Sequence, residues 1–181
     1  MLKVIKILLA LIIALAVSVA TYTISYFFVE IRPHLNELKV EMKAYDITTP
    51  NALDFKRALY LVSGDYSINL VKHRTATRFT PPEDRFRGFW HLIGLHWHFW
   101  MPVVFNEEEI YALRLARVYY RGGYGVTGAA KYYFHTDFND LTCHQIIELA
   151  LLDKSTFLGA LGTERQKKYI QTHDLFSMCQ S

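Results

Sequence analysis

At 181 residues the chain has room for one domain whose core folds without staples. Its hydrophobic share of 51 % exceeds what a soluble domain needs, and a formal net charge of +3 is too mild to mark a nucleic-acid binder. No P-loop and no nucleotide-binding glycine pattern occurs, so nucleotide chemistry and nucleic-acid partners are set aside.

The apolar excess sits at the start. From Ile7 to Val29 the chain carries no charged residue. A run of that length, at about 1.5 Å rise per residue, crosses a hydrocarbon core of about 30 Å. Lys3 and Lys6 precede it. This predicts a cytoplasmic amino terminus and a single-pass anchor in a bacterial inner membrane, with the body on the periplasmic or extracellular side. Tyr22, Tyr26, Phe27 and Phe28 lie at the far end, where rings suit the interface. Ser18-Val19-Ala20 offers a small-x-small cleavage site, but the apolar run continues past it, which favours an anchor over a cleaved signal peptide. The division is therefore residues 1–30 as anchor and 31–181 as domain.

Pro33 breaks the membrane helix or starts the next one. Leu35, Leu38 and Met42 then recur at helical spacing. Thr48-Thr49-Pro50 predicts a turn and Asn51 onward a helix, with Leu53, Ala58, Leu59 and Val62 as its apolar side. The stretch SINLVKHRTATRFTPPEDRFRG is expected to be polar and irregular. Residues 86–105, FRGFWHLIGLHWHFWMPVVF, hold all three tryptophans with His91, His96 and His98. They are read as interfacial, apolar side to the membrane, with ordinary core as the alternative. No carboxylate or cysteine set accompanies the histidines, so they are read as structural or interfacial and not as metal ligands.

Asn106 and Glu109 form a capping box, with Phe105 and Ile110 as its hydrophobic staple. That helix is expected to reach about Tyr120, with Arg114, Arg117 and Arg121 on one face, a basic stripe that either meets a phosphate or, as is commoner, is a solvated face. Thr142 and Gln145 cap another helix, whose apolar side is Ile146, Leu149, Ala150 and Leu152. A last amphipathic helix is read in TERQKKYIQTHDLF. Cys143 and Cys179 either pair, if the compartment is oxidising, or leave Cys143 as plain core. Sheet signals are weak throughout, so the fold class is mainly α.

Between the two capped helices lies YYRGGYGVTGAAKYYF, which joins bare backbone to bulky rings. Its glycines predict a sharp turn with positive φ, its alanines close helix packing, and its rings a filled core beneath. With its flanks it resembles the third part of the family 51 glycosyltransferases, the peptidoglycan-polymerising domain of penicillin-binding proteins. The resemblance is carried by the helix from Glu109-Ile110 to Val118-Tyr119-Tyr120, then Gly122, Gly123, Tyr124, Gly125 and Val126. Ala129-Ala130, Tyr133-Phe134 and Leu141-Thr142 follow in order.

Upstream the pattern thins. Glu41-Met42-Lys43-Ala44-Tyr45, followed by Lys56-Arg57-Ala58-Leu59, takes the place of the family's first element, with Met42 where the family has aspartate. Ser67-Ile68, Asn69-Leu70 and Lys72 echo the second, and the third keeps at most Arg87. The resemblance implies a small lysozyme-like α-helical domain that joins the glycan of lipid II to a growing chain with loss of a lipid diphosphate. It makes Glu41 the base for the acceptor hydroxyl. It makes Lys72, Arg87, His91 and Arg114 the contacts to the diphosphate. No cofactor is read from the residues themselves, although the family allows a divalent metal. A second reading is a non-catalytic relative that binds the lipid-linked precursor, peptidoglycan or a cell-wall protein. A weaker third is a lysozyme-type hydrolase.

Overall fold

The computed structural model describes residues 2–63, 66–80, 89–154, 164–172 and 174–180. It is mainly helical. The first helix, α1 (Leu2–Tyr26), passes through a π-turn at Phe27–Ile31 and a 3-10 turn at Arg32–His34 into α2 (Leu35–Lys43). Pro33 therefore changes the winding of one rod and does not end it. It stands at the start of the 3-10 turn, where its missing N–H leaves no bond unmade. None of the apolar window of this rod is buried against the rest of the protein, and it is long and apolar enough to cross a membrane.

The remaining helices are α3 (Pro50–Ser63), α4 (Tyr66–Phe79), α5 (Phe89–Val104), α6 (Glu107–Ala116), α7 (Val126–Phe134), α8 (Cys143–Lys154) and α9 (Glu164–Thr172). The existence of α4 corrects the expectation of an irregular stretch as far as Phe79, and residues 81–88 of that stretch lie outside the described residues. In α4, Lys72, Arg74 and Arg78 are consumed in tertiary contacts while Val71 and Ala76 face the core, so the sequence hides its amphipathic pattern.

Two hydrophobic clusters fill the body. One joins α3, α7, α8, α9 and the carboxyl-terminal turn. The other joins the base of this apolar rod with α4 and α5. The helix α6 lies between them. It gives Ile110, Ala112 and Leu113 to one cluster and Tyr111 and Leu115 to the other, so every residue from Ile110 to Val118 is buried. The capping box at Asn106 and Glu109 forms as the sequence predicts, at 2.8 and 3.0 Å, and so does that of Thr142 and Gln145. Helix α8 is apolar nearly all round, as a central helix is. Cys143 at its start is bonded to Cys179 in the final 3-10 turn.

The glycine segment differs from expectation in two respects. Helix α6 ends at Ala116, short of Tyr120, and Tyr119–Tyr120 (β1) pairs antiparallel with Gly123–Tyr124 (β2) in a minimal hairpin. The rings do not all fill a core: Tyr119, Tyr124 and Tyr132 are exposed. Tyr120 explains the bare backbone instead. A Cβ on Gly122 or Gly128 would stand 2.6 or 2.5 Å from atoms of the Tyr120 side chain. Gly125 has φ +102°, and its N–H closes the turn on the Val118 carbonyl at 2.8 Å. The buried Ala129 and Ala130 let α7 pack closely, as expected.

Candidate functional site

Three helix ends meet at a carboxylate and arginine cluster. Glu41 comes from the last turn of α2, Arg78 from the last turn of α4, and Arg117 caps the carboxyl end of α6. Arg117 holds Glu41 as a fork, one nitrogen on each oxygen, the Nη2 to Oε2 bond being 2.8 Å. Arg78 approaches the same carboxylate from the outside, its Nη1 at 3.0 and 3.1 Å from the two oxygens, and its Nη2 also holds Glu37. Bidentate charge-assisted pairs of this kind are the strong ones.

The local reasons are plain. Glu37 and Glu41 are one helical turn apart and share a face of α2, and Arg74 and Arg78 do the same on α4. Arg74 Nη1 donates to the Arg117 carbonyl at 2.6 Å, so a cation sits at the negative end of α6. Depth differs sharply across the cluster. The side chain of Arg117 is 2 % exposed and Glu41 21 %, against 43 % for Arg78. An anion arriving from solvent meets Arg78 first.

Tyr45, half-buried one turn after Glu41, completes the inner wall. Burial, then the Glu41 charge, pushes its hydroxyl above the ordinary phenol range, while Arg117 pulls it back. A Cβ on Gly125 would stand 2.6 Å from that hydroxyl. The glycine hairpin thus abuts the residue beside Glu41, which ties the most recognisable stretch of the sequence to the cluster.

The expected site residues separate. Glu41 lies in the cluster, clamped by two arginines. Arg114 is one turn before Arg117 on α6 and equally buried, at 2 %. Burial of Arg114 and Arg117 corrects the expectation of a solvated basic face: α6 is enclosed by both hydrophobic clusters, and only Arg121, beyond the helix, is exposed. Lys72 faces the other way. The helical period puts it on the side of α4 opposite Arg74 and Arg78, where its Nζ lies 3.2 Å from His98 Nδ1. Burial holds its amine below the ordinary lysine value. His91 is exposed on α5 and near His73, whose imidazole burial and then the His91 charge hold below the ordinary range. Arg87 lies outside the described residues. The sequence reading missed Arg78 and passed over Arg117. The signal for them was the matched pair of one-turn spacings, acidic at 37 and 41 and basic at 74 and 78.

A carboxylate held this way has its lone pairs committed to guanidinium protons, whereas a general base needs one aimed at the acceptor hydroxyl. A divalent metal does not fit here either. Two arginines occupy the Glu41 oxygens, and among the described residues no three His, Cys, Asp or Glu side chains gather. What the arrangement can do is present a partly exposed guanidinium, backed by a buried one, to an anionic group.

Among curated proteins, the chain is similar to the uncharacterized protein YfeL of Salmonella typhimurium strain LT2. The two are 26 % identical over 161 residues, covering 85 % of this chain and 84 % of the relative. No family model and no solved structure matches.

Proposed function

We propose that this is a membrane-anchored relative of the family 51 glycosyltransferases that binds a lipid-linked cell-wall precursor, lipid II, by its diphosphate, and that it does so without polymerising glycan. The observation that carries the non-catalytic form is the double arginine clamp on Glu41. Glu41 acts as the anchor that orders Arg78 and Arg117, and Arg78, the exposed one, meets the diphosphate. The anchor, the hairpin motif of the family and its contact with Tyr45 support the substrate class. Lys3 and Lys6 before the span, and the Cys143–Cys179 disulfide, which persists in an oxidising compartment, support a domain on the periplasmic or extracellular side of a bacterial inner membrane.

One observation favours the polymerising alternative. Arg78 is exposed enough to swing from Glu41 to a bound diphosphate, which would free one side of the carboxylate. The deciding experiment measures lipid II binding and glycan synthesis by the detergent-purified full chain beside Arg78→Ala and Glu41→Gln. The expected result is binding without polymer, weakened about tenfold or more in Arg78→Ala by loss of a charge-assisted contact. Polymer made by the parent and lost in Glu41→Gln would establish the transferase. No binding at all would leave the precursor reading without support.

A further inference from the structure

The helix α5 carries two apolar sides and the protein uses only one. Ile93, Trp97 and Met101 are buried against α4 and the membrane rod. On the other side Leu92, Leu95, Phe99 and Val103 are 37, 60, 55 and 65 % exposed. Their spacing of three and four residues puts all four in one narrow stripe. A continuous apolar stripe of this kind in water is a liability, so something covers it.

Its position says what. Tyr22 and Tyr26 pack on His96, Phe27 packs on Trp100, and the Trp100 indole N–H donates to the Thr23 carbonyl at 3.3 Å. These contacts join the middle of α5 to the last turns of the apolar run. At about 1.5 Å per residue, Thr23–Phe27 falls within the final ~10 Å of a run that ends at Val29 and matches a ~30 Å hydrocarbon core. A helix fastened there lies at the boundary of acyl chains and headgroups. Phe28 and Val29, at the same end of the rod, are exposed as well. His91 and His98 are exposed at one edge of the stripe, and His98 is bound to Lys72, which gives that edge a polar border.

We propose that the Leu92, Leu95, Phe99 and Val103 face of α5 is inserted in the leaflet at the domain's end of the span as a second, in-plane membrane contact that holds the domain against the bilayer. The inference rests on the span and these contacts, and stands whether or not the precursor reading holds. A domain held by one helical rod is free to tilt. One held by a rod and an in-plane helix has a fixed height above the membrane.

The test uses the full chain in phosphatidylcholine vesicles, with a tryptophan added as Phe99→Trp or Val103→Trp, and with Val40→Trp on the exposed side of α2 as reference. The emission added over the parent is read against lipids brominated on the acyl chain and against aqueous iodide. The expected result is that the Phe99→Trp and Val103→Trp increments are blue-shifted and quenched several-fold more by bromolipid than the Val40→Trp increment, which iodide quenches instead. Iodide quenching without bromolipid quenching at 99 and 103 would overturn the proposal and leave the face in water. Protection from both quenchers would also overturn it, by showing a protein surface, a second copy or another chain, on the stripe.

Discussion

Replacing Glu41 by Gln separates a structural clamp from a free base. Arg117 is 2 % exposed and both its terminal nitrogens are spent on Glu41, so the neutral amide leaves a guanidinium in the interior without its counter-charge and with half its acceptors. Removing one partner of a buried pair costs about 3–5 kcal/mol. Because Glu41 is about one-fifth exposed and water reaches it, the lower end, about 3 kcal/mol, applies. For a chain of this size that is a fall of about 6–12 °C in melting temperature. Arg117→Met should cost less, because Glu41 keeps Arg78, and the double variant should recover part of the loss, with a coupling of about 1–3 kcal/mol. Thermal unfolding of the four proteins in one detergent, followed by circular dichroism, gives the cycle. A Glu41→Gln protein that melts within a degree or two of the parent would refute the clamp and return Glu41 to the role of an available base.

Gly125→Ala should destabilise by about 2–3 kcal/mol, since it forces a side chain into a backbone region that is nearly glycine-only and places Cβ 2.6 Å from the Tyr45 hydroxyl. Adding Tyr45→Phe should restore only the steric part, and full restoration in a melting experiment would show that the backbone carries no strain. Glu148 on α8 is held above the ordinary carboxylate range, by burial first, with His144 opposing. A folded value above the unfolded one means stability is fully present below the unfolded value and is lost as pH rises through the folded one. Glu148→Gln should therefore melt higher than the parent at pH 7, with the advantage closing as pH falls below about 4.5. An advantage that stays constant with pH would count against burial as the cause.

How much of this was legible in the sequence depends on how local each cause is. The long apolar helix, both capping boxes, the positive-φ turn at Gly123 and Gly125 and the mainly helical class are set by residues a few positions apart, and the chain alone determined them. The helix α4 was hidden because its polar residues, Arg74 and Arg78, have partners 37 to 43 residues away, so their burial has no local period. Arg114 and Arg117 read as a surface stripe because a basic residue every third position looks the same outside a protein as inside it. Only the enclosure of α6 by two hydrophobic clusters decides the matter. The glycines of the hairpin announced a turn, but their reason, the Tyr120 ring and the Tyr45 hydroxyl pressed against them, needed the fold. Glu41 was chosen from its place in a motif. That it is clamped by two arginines follows from three helix ends converging, and convergence of distant segments is a property the tertiary structure alone fixes.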